Sequence, residues 1–354
     1  MPADAFRRFS TRQGGVLWAP PCPRTMIRYI LRRLLIMIPT LFGISIIAFI
    51  IIQLPPGDYL TTVIAQLSAS GDLVEEDVIA SLKAQYGLDR PMHVQYLKWI
   101  SNILLRGDFG TSFEWDVAVG ELIWSRLGLT VTLSVATLLF TWAVAFPVGI
   151  YAAVRQYSWG DYLFTGIGFV GLAIPNFLLA LVLMYVAFKY FNQSVGGLFS
   201  PDFVEAPWTW ARVQDMLGHL WVPMIILGTA GTAGLIRIMR ANLLDELRKP
   251  YVKTARAKGL SELRLLLKYP VRVALNPFVS TIGLTLPILI SGSAIVSVVL
   301  SLPTSGPLLL RALIAQDMYL AGSFILMLGI ITVLGTLLSD LLLAWLDPRI
   351  RFDD

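Results

Sequence analysis

Six runs along the chain contain no Asp, Glu, Lys or Arg: residues 34–57, 127–154, 162–188, 216–236, 273–310 and 318–339. A helix needs about 20 predominantly apolar residues to cross a bilayer. The pattern therefore predicts an all-α, polytopic membrane protein with six transmembrane helices. The third run, which includes Ile174-Pro175-Asn176-Phe177, is read as one span. The fifth is too long for one crossing. Its helix is expected near 276–300, ending at the turn-rich string Leu302-Pro303-Thr304-Ser305-Gly306-Pro307.

The segments between the runs set the organisation. Residues 1–25 differ from the rest. Met26-Ile27-Arg28-Tyr29 followed by Arg32-Arg33 is a natural start for an inserted helix, so 1–25 is expected to be a disordered tail or a mis-called extension. The first membrane helix then occupies 26–57, and 58–126 is a long loop. That loop contains an amphipathic stretch at 78–86, a stop at Leu88-Asp89-Arg90-Pro91, and a second helical pattern over 93–105 ended by Gly107. It is expected to form a small helical cap on the outer face. The membrane core spans 127–345 and carries a polar segment, 241–272. A short tail, 346–354, follows.

Charge orients the spans. Seven Lys and Arg residues precede the first run up to Arg33, and ten fall within 237–272. Basic residues favour the cytoplasmic side, so both termini are expected there, in the inner membrane of a prokaryote. Overall, 56% of residues are hydrophobic and 14% charged, with a mean hydropathy of +0.70. Soluble domains carry about 25% charged residues. The net charge of +5 is accounted for by this asymmetry, and no nucleic-acid partner is expected.

Candidate chemistry is sparse. Cys22 is the single cysteine and His93 and His219 are the two histidines, too few for a zinc site of about four ligands. No metal site is expected. No Gly-x-x-x-x-Gly-Lys-Ser/Thr phosphate loop occurs, and Gly is nowhere followed by Lys. None of the six runs holds a carboxylate, which disfavours an intramembrane hydrolase. It also disfavours an ion-coupled carrier, which usually buries ionisable groups. Asp340 and Asp347 are expected to meet nearby basic residues or water, and His219 to be an interfacial hydrogen-bonder. Trp99, Trp115, Trp124, Trp208, Trp210 and Trp221 are expected outside or at the outer boundary, mostly as interface anchors.

The informative segment is 245–262. A helix over 251–258 should stop at Gly259. Ser261 can then cap a second helix, 262–268, ending before Pro270. Two short helices hinged at a glycine make a projecting knob, where small Ala255 and Ala257 would let a partner approach.

Lys253-Thr254-Ala255-Arg256-Ala257-Lys258-Gly259-Leu260, preceded by Tyr251-Val252, resembles the EAA-type loop of ABC-importer permeases in its dipeptide/oligopeptide form. Other strings are similar to the B-type subunit of those importers: Pro55-Pro56-Gly57-Asp58, Gly87-Leu88-Asp89-Arg90-Pro91, Gln95-Tyr96, Gly107-Asp108-Phe109-Gly110-Thr111-Ser112, Ile174-Pro175-Asn176-Phe177, and Leu346-Asp347-Pro348-Arg349-Ile350-Arg351. The resemblance runs from about residue 26 to 352. It implies a type I ABC importer permease fold. It also implies pairing with a second, C-type permease subunit and delivery of solute by an extracytoplasmic substrate-binding protein. The loop 253–260 would dock in a groove on one of two cytoplasmic ATP-binding cassette subunits, which would bind ATP and Mg. The chain itself would need no cofactor and would contact only these proteins and membrane lipid. An exporter or an ion-coupled carrier on a similar scaffold is the alternative.

Ser293, Ser297 and Ser301 recur every four residues, so they share a face if the helix continues that far. Helix packing explains such residues well. The resemblance favours the translocation path, because the fifth span lines it in related permeases. Peptide-importing members usually read Glu-Thr-Val-Phe-Ser-Trp-Pro-Gly here, whereas this chain has Ser297-Val298-Val299-Leu300-Ser301-Leu302-Pro303-Thr304. The missing carboxylate leans towards a neutral solute such as an oligosaccharide, against a di- or oligopeptide.

Overall fold

The computed structural model describes residues 23–54, 90–191, 196–292 and 294–346. The expectations for residues 1–22, Pro55–Asp58, the stretch 78–86, Ser293 and the C-terminal residues from Asp347 lie outside them. The described residues form helices with one isolated β-bridge, Thr111 to Ala118. The helices are α1 (Pro23–Gln53), α2 (Met92–Arg106), α3 (Val119–Val154), α4 (Trp159–Ala173), α5 (Asn176–Phe191), α6 (Trp210–Leu247), α7 (Pro250–Ala257), α8 (Glu262–Lys268), α9 (Pro270–Ala274), α10 (Asn276–Gly292), α11 (Ala294–Val299), α12 (Ser305–Ile314) and α13 (Met318–Leu346). A 3-10 turn, Pro201–Phe203, precedes α6.

Four helices are each long and apolar enough to cross a bilayer: Ile30–Gln53 within α1, α3, α6, and Met318–Leu343 within α13. The helix expected in the fifth run is seen as two pieces, α10 and α11, on either side of residue 293. It ends in a turn at 300–304, where the turn-rich string placed it. The expectation for 162–188 needs correction. That run is two helices, α4 and α5, bent by 104°. Pro175 has no N–H and disfavours a helical residue before it. Ile174 is accordingly extended, at φ −85° and ψ 121°.

α3 and α6 are longer than the apolar runs that announced them, at 36 and 38 residues. At about 1.5 Å per residue, α6 is about 57 Å long against a hydrocarbon layer of about 30 Å. It therefore outruns that layer, and Arg237 and Arg240 follow its apolar run. Small residues let these two helices meet closely. A Cβ on Gly149 of α3 would lie 2.6 Å from Cβ of Met239 on α6.

One core cluster joins Leu129 and Leu133 of α3, Ala180 and Ala187 of α5, Met216, Leu220 and Ile226 of α6, and Val296, Leu300 and Leu302. A second joins Phe49 and Ile52 of α1, Trp99 and Ile100 of α2, Phe113, Ile123, Ala312 and Phe324. A third, at the opposite end, holds Ala153, Met239, Leu243, Val271, Ala274 and Phe278.

That end is the basic one, and ion pairs tie it together. Arg33 of α1 meets Asp340 of α13 at 2.8 Å, as expected of Asp340. Asp161, in the first turn of α4 and 3% exposed, accepts two bonds of 2.9 Å from Nε and an Nη of Arg240. Asp161 also accepts the N–H of Tyr157 at 3.0 Å. Ser158 caps α4 by accepting the Asp161 N–H at 3.3 Å.

Candidate functional site

The knob forms from local rules. Pro250 opens α7 at its first position, where its missing N–H costs nothing. The helix closes at Lys258, and Gly259 turns the chain at φ +78°. That left-handed conformation suits glycine because it has no Cβ. Ser261 occupies the cap position of α8 but makes no side-chain cap bond. The Leu265 N–H instead bonds its carbonyl oxygen at 2.8 Å.

A miniature core of Val252, Ala255 and Leu265, with Leu260 against it, holds α7 on α8. Arg256 and Glu262 clamp the hinge from outside, Nε to Oε1 at 2.5 Å and Nη to Oε2 at 3.0 Å. The hydrogen-bonded guanidinium holds the Glu262 carboxyl below its ordinary value. The same contact raises the pKa of Arg256. Glu246, buried at the end of α6, receives Lys249 Nζ and the Tyr251 hydroxyl, the latter at 2.5 Å. The knob is thus pinned to the long lever of α6, and α9 seats beneath it against Met239 and Leu243.

Lys253, Thr254, Arg256, Ala257, Lys258 and Gly259 are exposed on this knob and Leu260 is half-buried. Ala255 is not available to a partner, being 8% exposed and facing Leu265; its small size serves packing within the knob. The signal missed in the sequence is Leu263 and Leu267, one turn apart on α8 and 68% and 54% exposed. With Ser261, Arg264 and Lys268 they line an open depression. Their spacing was visible, but not that the helix would turn this face outward.

The helix does not continue as far as Ser301. α11 ends at Val299, and Ser301 sits in the following turn at φ +52°, exposed. Ser297 is fully buried and its hydroxyl has no hydrogen-bond partner among the described residues. It shares that condition with Thr137 of α3, with Thr304, and with Ser305 at the start of α12. Thr130 of α3 accepts the Ser305 N–H at 2.9 Å. Thr130, Ser134 and Thr137 recur at helical spacing on the buried face of α3. Buried hydroxyls therefore gather where α3 meets the α11–α12 corner.

The tryptophans divide. Trp124, Trp208 and Trp210 are exposed, as anchors should be. Trp99 is instead 2% exposed, and its indole N–H donates to Ser323 of α13 at 3.3 Å. His219 approaches the Asp215 carbonyl at 2.8 Å, the hydrogen-bonding role expected of it.

Comparison with known proteins agrees with this architecture. Residues 145–352 match the family described as the binding-protein-dependent transport system inner membrane component. Residues 26–134 match the N-terminal model of the same membrane components. The oligopeptide transport system permease protein AppB of Bacillus subtilis is 38% identical over 329 residues, covering 92% of this chain and all of that protein. The dipeptide transport system permease protein DppB of Escherichia coli K12 is 32% identical, covering 92% of this chain and 99% of that protein. The glutathione transport system permease protein GsiC of Salmonella paratyphi A is 35% identical over 92% of this chain and all of its own length. With its apolar helices, its basic knob and a match along most of its length, the chain belongs to the family of inner membrane components of binding-protein-dependent transport systems, and is a multi-pass transport permease rather than an enzyme.

Proposed function

We propose that the chain is the B-type permease subunit of an ATP-driven peptide importer, and that the α7–α8 knob couples it to ATP hydrolysed on other subunits. The observation that carries this is the knob itself. Two short helices, locked at Gly259 and by the Arg256–Glu262 clamp, stand off the end of α6 with Lys253, Thr254, Ala257, Lys258, Leu263 and Leu267 outward. A rigid projection with a mixed basic and apolar surface suits docking in a groove of an ATP-binding cassette subunit. ATP and Mg belong to two such subunits. A C-type permease completes the membrane part, and a substrate-binding protein delivers solute to the outer face. Basic residues favour the cytoplasmic side, which supports reading both termini and the knob as cytoplasmic.

For the solute, the names of the relatives favour peptides over oligosaccharides. The argument for a neutral solute rested on Ser297 lining an open path, and Ser297 is buried among its own helices. Its hydroxyl, with those of Thr137, Thr304 and Ser305, would meet water when the α11–α12 corner moves. An unpaired buried hydroxyl costs about 1–3 kcal/mol, so hydration on opening offsets part of the cost of parting the helices.

An in-frame deletion, complemented by the wild-type gene, tests the solute. Uptake of labelled di- to oligopeptides should fall and that of labelled oligosaccharides should be unchanged. Loss of oligosaccharide uptake alone would overturn the peptide reading.

A further inference from the structure

We propose that α2 lies in the outer headgroup layer of the bilayer, and that its face bearing Leu97 and Leu104 binds lipid. The loop helix was expected in a small helical cap on the outer face, and its contacts bear on its depth. Tyr96 of α2 lies 2.8 Å from the Ser45 hydroxyl of α1. Its ring packs edge-on against Phe42 and Phe49, at 6.2 and 5.3 Å between centroids. Because Ser45 gives its own proton to the Phe42 carbonyl, the tyrosine is the donor in this pair. Ser45 lies about two turns, or about 12 Å, inside the end of α1 at ~1.5 Å per residue. Trp99 reaches Ser323, more than one turn inside the start of α13. A helix whose anchoring side chains meet two spans this far from their ends runs beside those spans rather than above them.

The three sides of α2 then have different neighbours. At about 100° per residue, Tyr96, Trp99, Ile100 and Ile103 share the side packed on α1 and α13. About a third of a turn away, Lys98 and Asn102 line an open cleft of about 190 Å³ with Asp108 and Tyr319, which faces water. The remaining side holds Leu97 and Leu104, 59% and 73% exposed, and Leu105 stands at its border with Lys98, 84% exposed. Ser101 falls among these leucines. Its hydroxyl is turned back to the Lys98 carbonyl at 3.0 Å, so this side offers no unbonded hydroxyl.

The occupant is identified by depth and charge. A side pointing away from the protein, at the level of the outer ends of two spans, meets the boundary between headgroups and acyl chains. Amphipathic helices commonly sink about 5–10 Å there. α2 contains no Asp or Glu, and Lys98, Arg106 and the preceding Arg90 are its formal charges. Such side chains lay their stems along apolar surface and keep the charged head on the watery side of that boundary.

The test uses the full chain with the subunits that copurify with it, Cys22 replaced by Ser, in vesicles of phosphatidylcholine and phosphatidylglycerol. Single cysteines made by Leu97→Cys, Leu104→Cys and Lys98→Cys each carry a bimane fluorophore. Lipid brominated high on its acyl chains should quench the two leucine-site probes several-fold more than the Lys98 probe, and aqueous iodide should show the reverse order. Iodide reaching all three alike would put α2 in water and overturn the proposal. Leucine-site probes reached by neither quencher would mean a protein subunit covers the face, which also overturns it. Two exposed leucine positions keep the test decisive should one variant fail to assemble.

Discussion

Asp317 shows what one residue can hold. One carboxylate oxygen caps α13 by accepting the Leu320 N–H at 3.1 Å. The other accepts the Ser112 hydroxyl at 2.5 Å and the Phe113 and Glu114 N–H groups at 2.8 and 3.3 Å. The outer loop is thereby stapled to the head of the last span. Asp317→Ala strands these donors, each at about 1–3 kcal/mol, and should lower the melting temperature of the purified protein. Burial raises the carboxyl above its ordinary value of 3.8. The folded state therefore holds this proton more tightly than the unfolded state, and acidification favours folding. As pH falls from neutrality through the raised folded value towards 3.8, the melting temperature of wild type relative to Asp317→Asn should rise. A flat difference would show that burial does not govern this carboxyl. An Asp just before a span reads from sequence as a helix cap. Its grip on Ser112, far away along the chain, has no local signature. The same holds for Ala255, whose small size is visible but whose inward direction is not.

At the scale of elements, legibility follows how local the cause is. α7, Gly259 and α8 could be read from sequence because proline, glycine and spacing act within a few residues. Gly259→Asn should keep coupled uptake, since asparagine tolerates a left-handed backbone. Gly259→Val should leave membrane insertion intact and abolish ATP-dependent uptake, although no atom lies within 4 Å of the added Cβ. Retained uptake in the valine variant would remove the hinge from the mechanism. The break at Pro175 was not legible in the same way. Pro39, Pro147 and Pro223 sit inside uninterrupted helices, so proline alone does not decide where a span bends. Packing between elements is also non-local. Arg240→Ala leaves Asp161 buried without its cation and should destabilise the α4–α6 joint by about 3 kcal/mol. Increased proteolysis at 155–158 would report it.

For the whole molecule, apolar runs and basic clusters announced a polytopic permease, and relatives matching 92% of the chain place it in a family. Neither says where the third apolar run breaks, and the 104° elbow does. α4 has 15 residues and rises about 22 Å at ~1.5 Å per residue, short of the hydrocarbon thickness of about 30 Å. A helix of that length starting at the edge of the layer ends inside it, which puts Ile174-Pro175 at hydrocarbon depth if α4 starts there. There the Asn176 and Phe177 N–H groups begin a new helix and have no carbonyl of that helix behind them. Acyl chains cannot accept a hydrogen bond, so exposed non-helical backbone is tolerated at this depth only against protein or water. The flank carrying the elbow is thus barred from facing the fatty interior. It has to turn towards protein or a wet hollow, which limits how the chain can be rotated in the membrane.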